Sequence, residues 1–293
     1  MLDRRTLLGR AALLGAATVA AGPASAFQAH RVSIFDVLQK DVGGRLGVAA
    51  LDTGNGQRLV YNAMERFALC STAKLPLAAA VLAASERGSV SLDKEVAYSE
   101  GDLLTHSPVT KAHLAQGKMT VGALIEAMLV ESDNAAFNLL LPQIGGPRGA
   151  TRFLQQTGDR TTRIDRPEPA LNEVKGDDPR DTTTPLAMVE LMQKVLLGSA
   201  LDPADQHKLI GWMVECKTGL NRLRAGLPKG WKVGDKTGTG PNGEVNDVAI
   251  AIPPGRKPIL IACYIDAPNL PPAKADAVQS QVGTLVGSLF ANG

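Results

Sequence analysis

Strand-like, β-branched runs sit at both ends of this chain, and helical patterns fill its middle. Residues 46–52 (LGVAALD) and 57–61 (QRLVY) flank Thr53-Gly54-Asn55-Gly56, so the pair reads as a hairpin. Near the other end, residues 231–234, 245–252 and 259–265 are again strand-like. Pro253-Pro254-Gly255-Arg256-Lys257-Pro258 separates the last two and reads as a turn. Val278, Val282, Leu285, Val286 and Leu289 fall at helical spacing and predict a closing helix over residues 274–290. A helix is also expected around residues 33–40. In the middle, residues 76–84, 121–130, 135–141, 185–197 and 203–216 read as helices. Thr120, Thr184 and Asp202 are their expected caps, the last two directly before a proline. Strands from two distant segments must therefore meet in one sheet. The expectation is an α+β fold: an antiparallel five-stranded sheet flanked by terminal helices, plus a mostly helical second lobe. The sheet lobe would take residues 27–66 and 217–293, and the helical lobe residues 67–216. A cleft between the lobes is the expected place for a site.

The first 26 residues read as a targeting segment. Asp3-Arg4-Arg5-Thr6-Leu7-Leu8 is a twin-arginine pattern, and Ala24-Ser25-Ala26 is a small-x-small cleavage signal before Phe27. The apolar stretch between them is short, carries Arg10 and is broken by Pro23, which argues against an anchor. The expectation is export to the periplasm with no membrane segment left behind. The 293 residues are 44% hydrophobic and 20% charged, ordinary for a globular enzyme. A net charge of +2 gives no reason to expect nucleic acid or an acidic membrane as partner. Monomer is the default state. The three cysteines (Cys70, Cys216, Cys263) are not a disulfide framework, and at most one bridge fits them. None of the four histidines forms an HxH or HExxH pattern, so no metal and no cofactor are expected.

Four polar motifs carry the chemistry. Ser71-Thr72-Ala73-Lys74 precedes an apolar helical run, which sets a nucleophile one turn from an amine. Ser91-Leu92-Asp93-Lys94 matches the same pattern but sits in a polar connection. Ser132-Asp133-Asn134 lies between two helical runs and reads either as a polar cap or as a proton relay. Glu168-Pro169-Ala170-Leu171-Asn172 lies in a long proline-punctuated stretch from about residue 162 to 184. Its carboxylate and amide can jointly hold and activate one water, and Arg166 with Asp181 form a possible clasp. Lys236-Thr237-Gly238-Thr239-Gly240 follows a strand-like run and can anchor a substrate carboxylate. A second copy, Lys217-Thr218-Gly219, follows a helix and reads as a structural stop.

In this order the motifs resemble those of the class A serine β-lactamases, and the resemblance covers essentially the whole mature chain. It implies a β-lactam-hydrolysing enzyme that confers antibiotic resistance and works without cofactor. Ser71 would be the nucleophile, and the acylation base would be Lys74, or Glu168 through a water. Ser132 would pass a proton to the lactam nitrogen, and Glu168 with Asn172 would hold the deacylating water. Backbone N–H groups of Ser71 and Thr239 would form the oxyanion hole. Lys236, Thr237 and Thr239 would bind the substrate carboxylate, and Asn134 the side-chain amide. Related alternatives are a penicillin-binding DD-peptidase, against which the segment from Glu168 to Asn172 argues, and a non-hydrolytic β-lactam sensor, which would be expected to carry a membrane-spanning partner region.

The chain departs from the family pattern at three places. Many members carry an arginine on the strand after Lys-Thr-Gly, and residues 245–250 hold none. Arg222 resembles an alternative arginine used by other members, and Arg224 would then be structural. His106 stands where an aromatic residue is usual. Cys70 pairs in some members with a cysteine two residues beyond Lys-Thr-Gly, but Gly240 occupies that position here.

Overall fold

The computed structural model describes residues 34–291. The expected signal segment, residues 1–26, and Ser33 at the expected start of the first helix lie outside them. Helix α1 covers residues 34–42. Strands β1 (Arg45–Asp52) and β2 (Arg58–Tyr61) form the expected hairpin, with Gly56 at a left-handed φ of 76° in its turn. The chain then leaves the sheet through β3 (Phe67–Ala68), α2 (Lys74–Glu86), β4 (Glu95–Ala97), α3 (Pro108–Ala112) and β5 (Lys118–Thr120). Helices α4 (Val121–Val130), α5 (Asn134–Leu140) and α6 (Gly146–Gln156) follow. A long loop leads to β6 (Thr182–Thr183), α7 (Pro185–Met192), α8 (Pro203–Glu215) and α9 (Leu223–Gly226). The chain re-enters the sheet as β7 (Lys232–Thr239), β8 (Glu244–Ile252) and β9 (Ile259–Asp266), and α10 (Pro272–Phe290) closes it.

The sheet order is β2-β1-β9-β8-β7, and every neighbouring pair is antiparallel. The two ends of the chain are joined by β1 and β9, in register from Arg45 opposite Asp266 to Asp52 opposite Ile259. Both faces are covered. Strand β9 sends Ile259, Ile261, Cys263 and Ile265 toward α1 and α10, and Leu260, Ala262 and Tyr264 toward the helical side. That is why the strands read as near-continuous apolar runs without alternation. Helix α2 is buried from Lys74 to Ala84, as a helix apolar on all sides must be. Its fully buried leucines, Leu75, Leu77 and Leu82, each contribute about 2 kcal/mol of burial.

Several elements differ from expectation, and the differences position the site. Strand β7 does not stop at Gly234; it runs through Lys236-Thr237-Gly238, which pair with Val248, Asp247 and Asn246. The anchor motif thus lies inside an edge strand. A Cβ on Gly238 would come within 2.9 Å of the Leu69 carbonyl and 3.2 Å of the Ser71 nitrogen, so this strand presses against the turn that carries Ser71. Ser71 itself sits in a 3-10 turn, Cys70–Ala73, and the α-helix begins only at Lys74. Thr120 and Thr184 cap their helices, accepting from the Ala123 and Ala187 N–H groups. Asp202 does not cap with its side chain, and its N–H donates to the Glu86 carboxylate. The expected helix over residues 185–197 changes to a π turn at Gln193–Leu197.

Candidate active site

Lys74 is the hub of the site. Its Nζ is 3.0 Å from Ser71 Oγ, 3.2 Å from Ser132 Oγ, 2.6 Å from the Ser132 carbonyl and 2.5 Å from Asn134 Oδ1. Two sharp backbone turns create this convergence. Cys70, at φ 46°, turns the chain into Ser71, and Ser132, at φ 59°, aims both its carbonyl and its hydroxyl at Lys74. Asp133 fixes the second turn. Its buried carboxylate accepts from the Ala136, Val109 and Thr110 N–H groups and from the Thr110 hydroxyl. Burial drives the Lys74 amine down to about 7, against the opposing pull of Glu168.

Glu168 approaches from the long loop. Its Oε1 is 3.6 Å from Lys74 Nζ and has no hydrogen-bond partner among the protein groups, although the side chain is buried. Its Oε2 accepts from Asn172 Nδ2 at 2.6 Å. The loop is held by polar contacts. Arg166 Nε donates to Asp181 at 2.6 Å, so the expected clasp exists. Asn138 was not singled out in the sequence, yet it makes two bonds to the backbone of Glu168. Its Oδ1 accepts the Glu168 N–H at 2.9 Å and its Nδ2 donates to the Glu168 carbonyl at 2.9 Å. An Asn in the middle of an otherwise apolar helical run gives no local signal of this role.

The far end of the cleft is cationic. Lys236 Nζ donates to Ser132 Oγ at 3.0 Å, and burial lowers its amine below the ordinary lysine range. Thr237 and Thr239 face the same space. Arg222 reaches it from the turn before α9, donating to Thr239 Oγ1 at 2.9 Å and to the Gly238 and Asn246 carbonyls. Arg224 points away and pairs with Asp235, so Arg222 is the arginine brought to the cleft. Ser71, Ser132, Asn134, Glu168, Asn172, Arg222, Thr237 and Thr239 line one cavity of about 290 Å³. His106 and Thr218 complete its wall. A larger cavity, about 610 Å³, lies between residues 174–178 and the end of the sheet and holds none of the motif residues.

The duplicated motifs part company here. Ser91 and Lys94 stay outside the cleft, Ser91 accepting from Asp93 N–H and Lys94 donating to Gln143. The second copy corrects the reading of Lys217-Thr218-Gly219 as purely structural. Thr218 lines the cavity, its hydroxyl 2.5 Å from that of Thr237. Gly219 is required for packing, since a Cβ there would strike the Asp235 carboxylate. All three cysteines are free and buried. A Cβ on Gly240 would lie 2.9 Å from Cys70 Sγ, so the position that pairs with Cys70 in other members faces it here without a thiol. Among the described residues no group of three His, Cys, Asp or Glu side chains is placed to hold a metal.

Comparison with known proteins places this arrangement. The model of the β-lactamase enzyme family matches residues 31–290. The chain is 45% identical to β-lactamase CTX-M-8 of Citrobacter amalonaticus over 79% of each chain. It is 46% identical to the carbapenem-hydrolysing β-lactamase KPC of Klebsiella oxytoca over 83% of each. Among solved structures, the ancestral (GNCA) class A β-lactamase superposes with a TM-score of 0.86 at 50% identity, covering 88% of this chain and 99% of that one. A β-lactamase from Burkholderia vietnamiensis does so with a TM-score of 0.86 at 46% identity, over 89% and 96%. Fold, site geometry and relatives agree: the chain belongs to the class A serine β-lactamases.

Proposed function

We propose that this protein opens the β-lactam ring through an acyl-enzyme on Ser71 and then hydrolyses that ester with a water held by Glu168. The observation that carries the reading is a buried amine flanked by the serine on one side and by an unpartnered carboxylate oxygen on the other. As a neutral amine, Lys74 has two N–H bonds and one lone pair. The Ser132 carbonyl and Asn134 Oδ1 only accept, so they take the two N–H bonds and leave the lone pair for the Ser71 hydroxyl. Burial keeps a useful fraction of that amine neutral. Ser71 Oγ then bonds to the lactam carbonyl carbon as its proton passes to Lys74. The carbon–nitrogen bond breaks, and the nitrogen takes a proton from Ser132, which is resupplied by Lys74. The N–H groups of Ser71 and Thr239 stabilise the oxyanion. Lys236, Thr237, Thr239 and Arg222 hold the substrate carboxylate, and Asn134 contacts the side-chain amide.

Deacylation reverses the roles. Water held by Glu168 Oε1 and Asn172 attacks the ester carbon and gives a proton to Glu168; the bond from that carbon to Ser71 Oγ breaks, and Ser71 takes the proton back from Glu168 through Lys74. The same reading takes the protein to act as a monomer in the periplasm, exported by the twin-arginine route on the strength of residues 1–26. No helix among the described residues is long and apolar enough to cross a membrane.

A chromogenic cephalosporin and intact mass spectrometry test the scheme. The wild type should turn over, and Glu168→Ala should accumulate a covalent adduct on Ser71. Stoichiometric acylation of the wild type without turnover would point to a peptidase or a sensor. Turnover that survives Ser71→Ala would remove the serine mechanism.

A further inference from the structure

We propose that Thr218 is a positioning residue for the substrate carboxylate: its hydroxyl donates to Thr237 and so turns the Thr237 hydrogen outward to the anion. The inference rests on the β-lactam reading above and goes beyond it, since that reading gives Thr218 no part. Thr218 lines the cleft, and its Oγ1 is 2.5 Å from Thr237 Oγ1. Among the described residues it is the one side chain bonded to the Thr237 hydroxyl.

Each hydroxyl has one hydrogen, so two facing hydroxyls spend one hydrogen on each other and keep one spare. Which threonine keeps the spare one decides what the site offers. The neighbouring anchor position shows the arrangement that a carboxylate needs. Arg222 Nη2 donates to Thr239 Oγ1 at 2.9 Å. A guanidinium can only donate, so the Thr239 hydrogen is free to point at substrate. Behind the Thr237 hydroxyl stands Thr218 instead, a group that can act either way.

Two neighbours set the direction. A carboxylate bound at the cationic end can only accept, so it draws the Thr237 hydrogen to itself, and Thr237 must then accept from Thr218. On the other side, the Cys216 sulfur is 3.3 Å from Thr218 Oγ1. Burial raises that thiol, so it keeps its hydrogen and can donate to Thr218. In the bound state the hydrogens then run one way, from Cys216 through Thr218 and Thr237 to the carboxylate, and each bond polarises the next. Thr237 is only 5% exposed, so a substrate seated on it leaves water little access to its oxygen. Without the Thr218 hydroxyl, binding would leave that buried acceptor unpaired.

The test is a double-mutant cycle, read as kcat/KM on a penicillin and on its analogue with hydrogen in place of the carboxyl group. Thr218→Val keeps the shape of the side chain and deletes the hydroxyl. It should lower kcat/KM for the penicillin about fivefold, the change residing in KM. On the carboxyl-free analogue the loss should be less than about twofold. Thr218→Ser should restore the penicillin value. Made in a Thr237→Val background, Thr218→Val should cost nothing further, because its effect passes through the Thr237 hydroxyl. The inference is overturned by an equal loss on both substrates, by a loss that persists in full in the Thr237→Val background, by a Thr218→Ser enzyme as impaired as Thr218→Val, or by a Thr218→Val enzyme that matches the wild type. Each of these outcomes leaves the β-lactam reading intact. A wild type that turns over no penicillin would overturn that reading, and this inference with it.

Discussion

The two halves of the proposed cycle rest on different kinds of structure. Ser71, Lys74, Ser132 and Lys236 sit where α2, the turn before α5 and strand β7 meet, wedged into apolar packing. Lys74 and Lys236 are fully buried there, and Gly238 leaves no space between the strand and the turn that carries Ser71. Glu168 and Asn172 sit on a loop whose order comes from polar tethers: the Arg166–Asp181 pair, the two Asn138 bonds and the Thr151 bonds to Ile164. Acylation groups are set by the core, and the deacylation group is tied on from outside. The second half of the cycle is therefore the half that single polar substitutions can remove separately.

The largest expected effect falls on the core side. Lys74→Ala should lower the acylation rate constant by about 10³-fold, measured by stopped-flow with the chromogenic substrate. No adduct should then build up, unlike in Glu168→Ala. Next comes the clasp. Arg166→Ala leaves the buried Asp181 carboxylate without its cation and should cost about 3 kcal/mol in urea denaturation. Burial already pushes the Asp181 carboxyl up, even with Arg166 beside it. Asn138→Ala should slow deacylation about 10²-fold while acylation stays within a few-fold, seen as a burst followed by a slow steady state. If acylation and deacylation fell together in Asn138→Ala, the division between core and loop would be wrong.

The smallest effect is in pH dependence. Lys74 must be neutral to accept the serine proton, and its amine is lowered to about 7, so acylation should climb as pH rises through about 7. The Glu168 charge raises Lys74. Its removal in Glu168→Gln should move that climb to lower pH, read from single-turnover acylation. A climb that stayed in place would mean that Lys74 is not the base.

Much of this was legible in the sequence because it is local. Strand runs at 46–52, 245–252 and 259–265, the caps Thr120 and Thr184 and the four motifs all follow from neighbours in the chain. What was not legible depends on partners far away. Helix α6 opens with Gly146-Pro147-Arg148-Gly149, a composition that reads as a turn. Yet the segment opens a helix, and residue 149 must be glycine there because a Cβ would strike the Ile144 carbonyl. Thr218 belongs to the cleft only because its hydroxyl meets that of Thr237, and Asn138 matters only because residue 168 folds back onto it. Arg222 and Arg224 differ by two positions in the chain: the family resemblance singled out Arg222, and the contacts that hold it at the cleft come from β7 and β8.

The three buried free thiols have one further consequence. Cys70 lies beside Ser71, Cys216 just beyond α8, and Cys263 in the strand between β1 and β8. Burial raises all three thiols and leaves little thiolate to react. A thiol-labelling reagent can reach each one only when its own neighbourhood opens. Labelling followed by peptide mass mapping would thus time three openings in one molecule, with no added probe. The molecule carries clocks for the turn before α2, the end of α8 and the middle of the sheet.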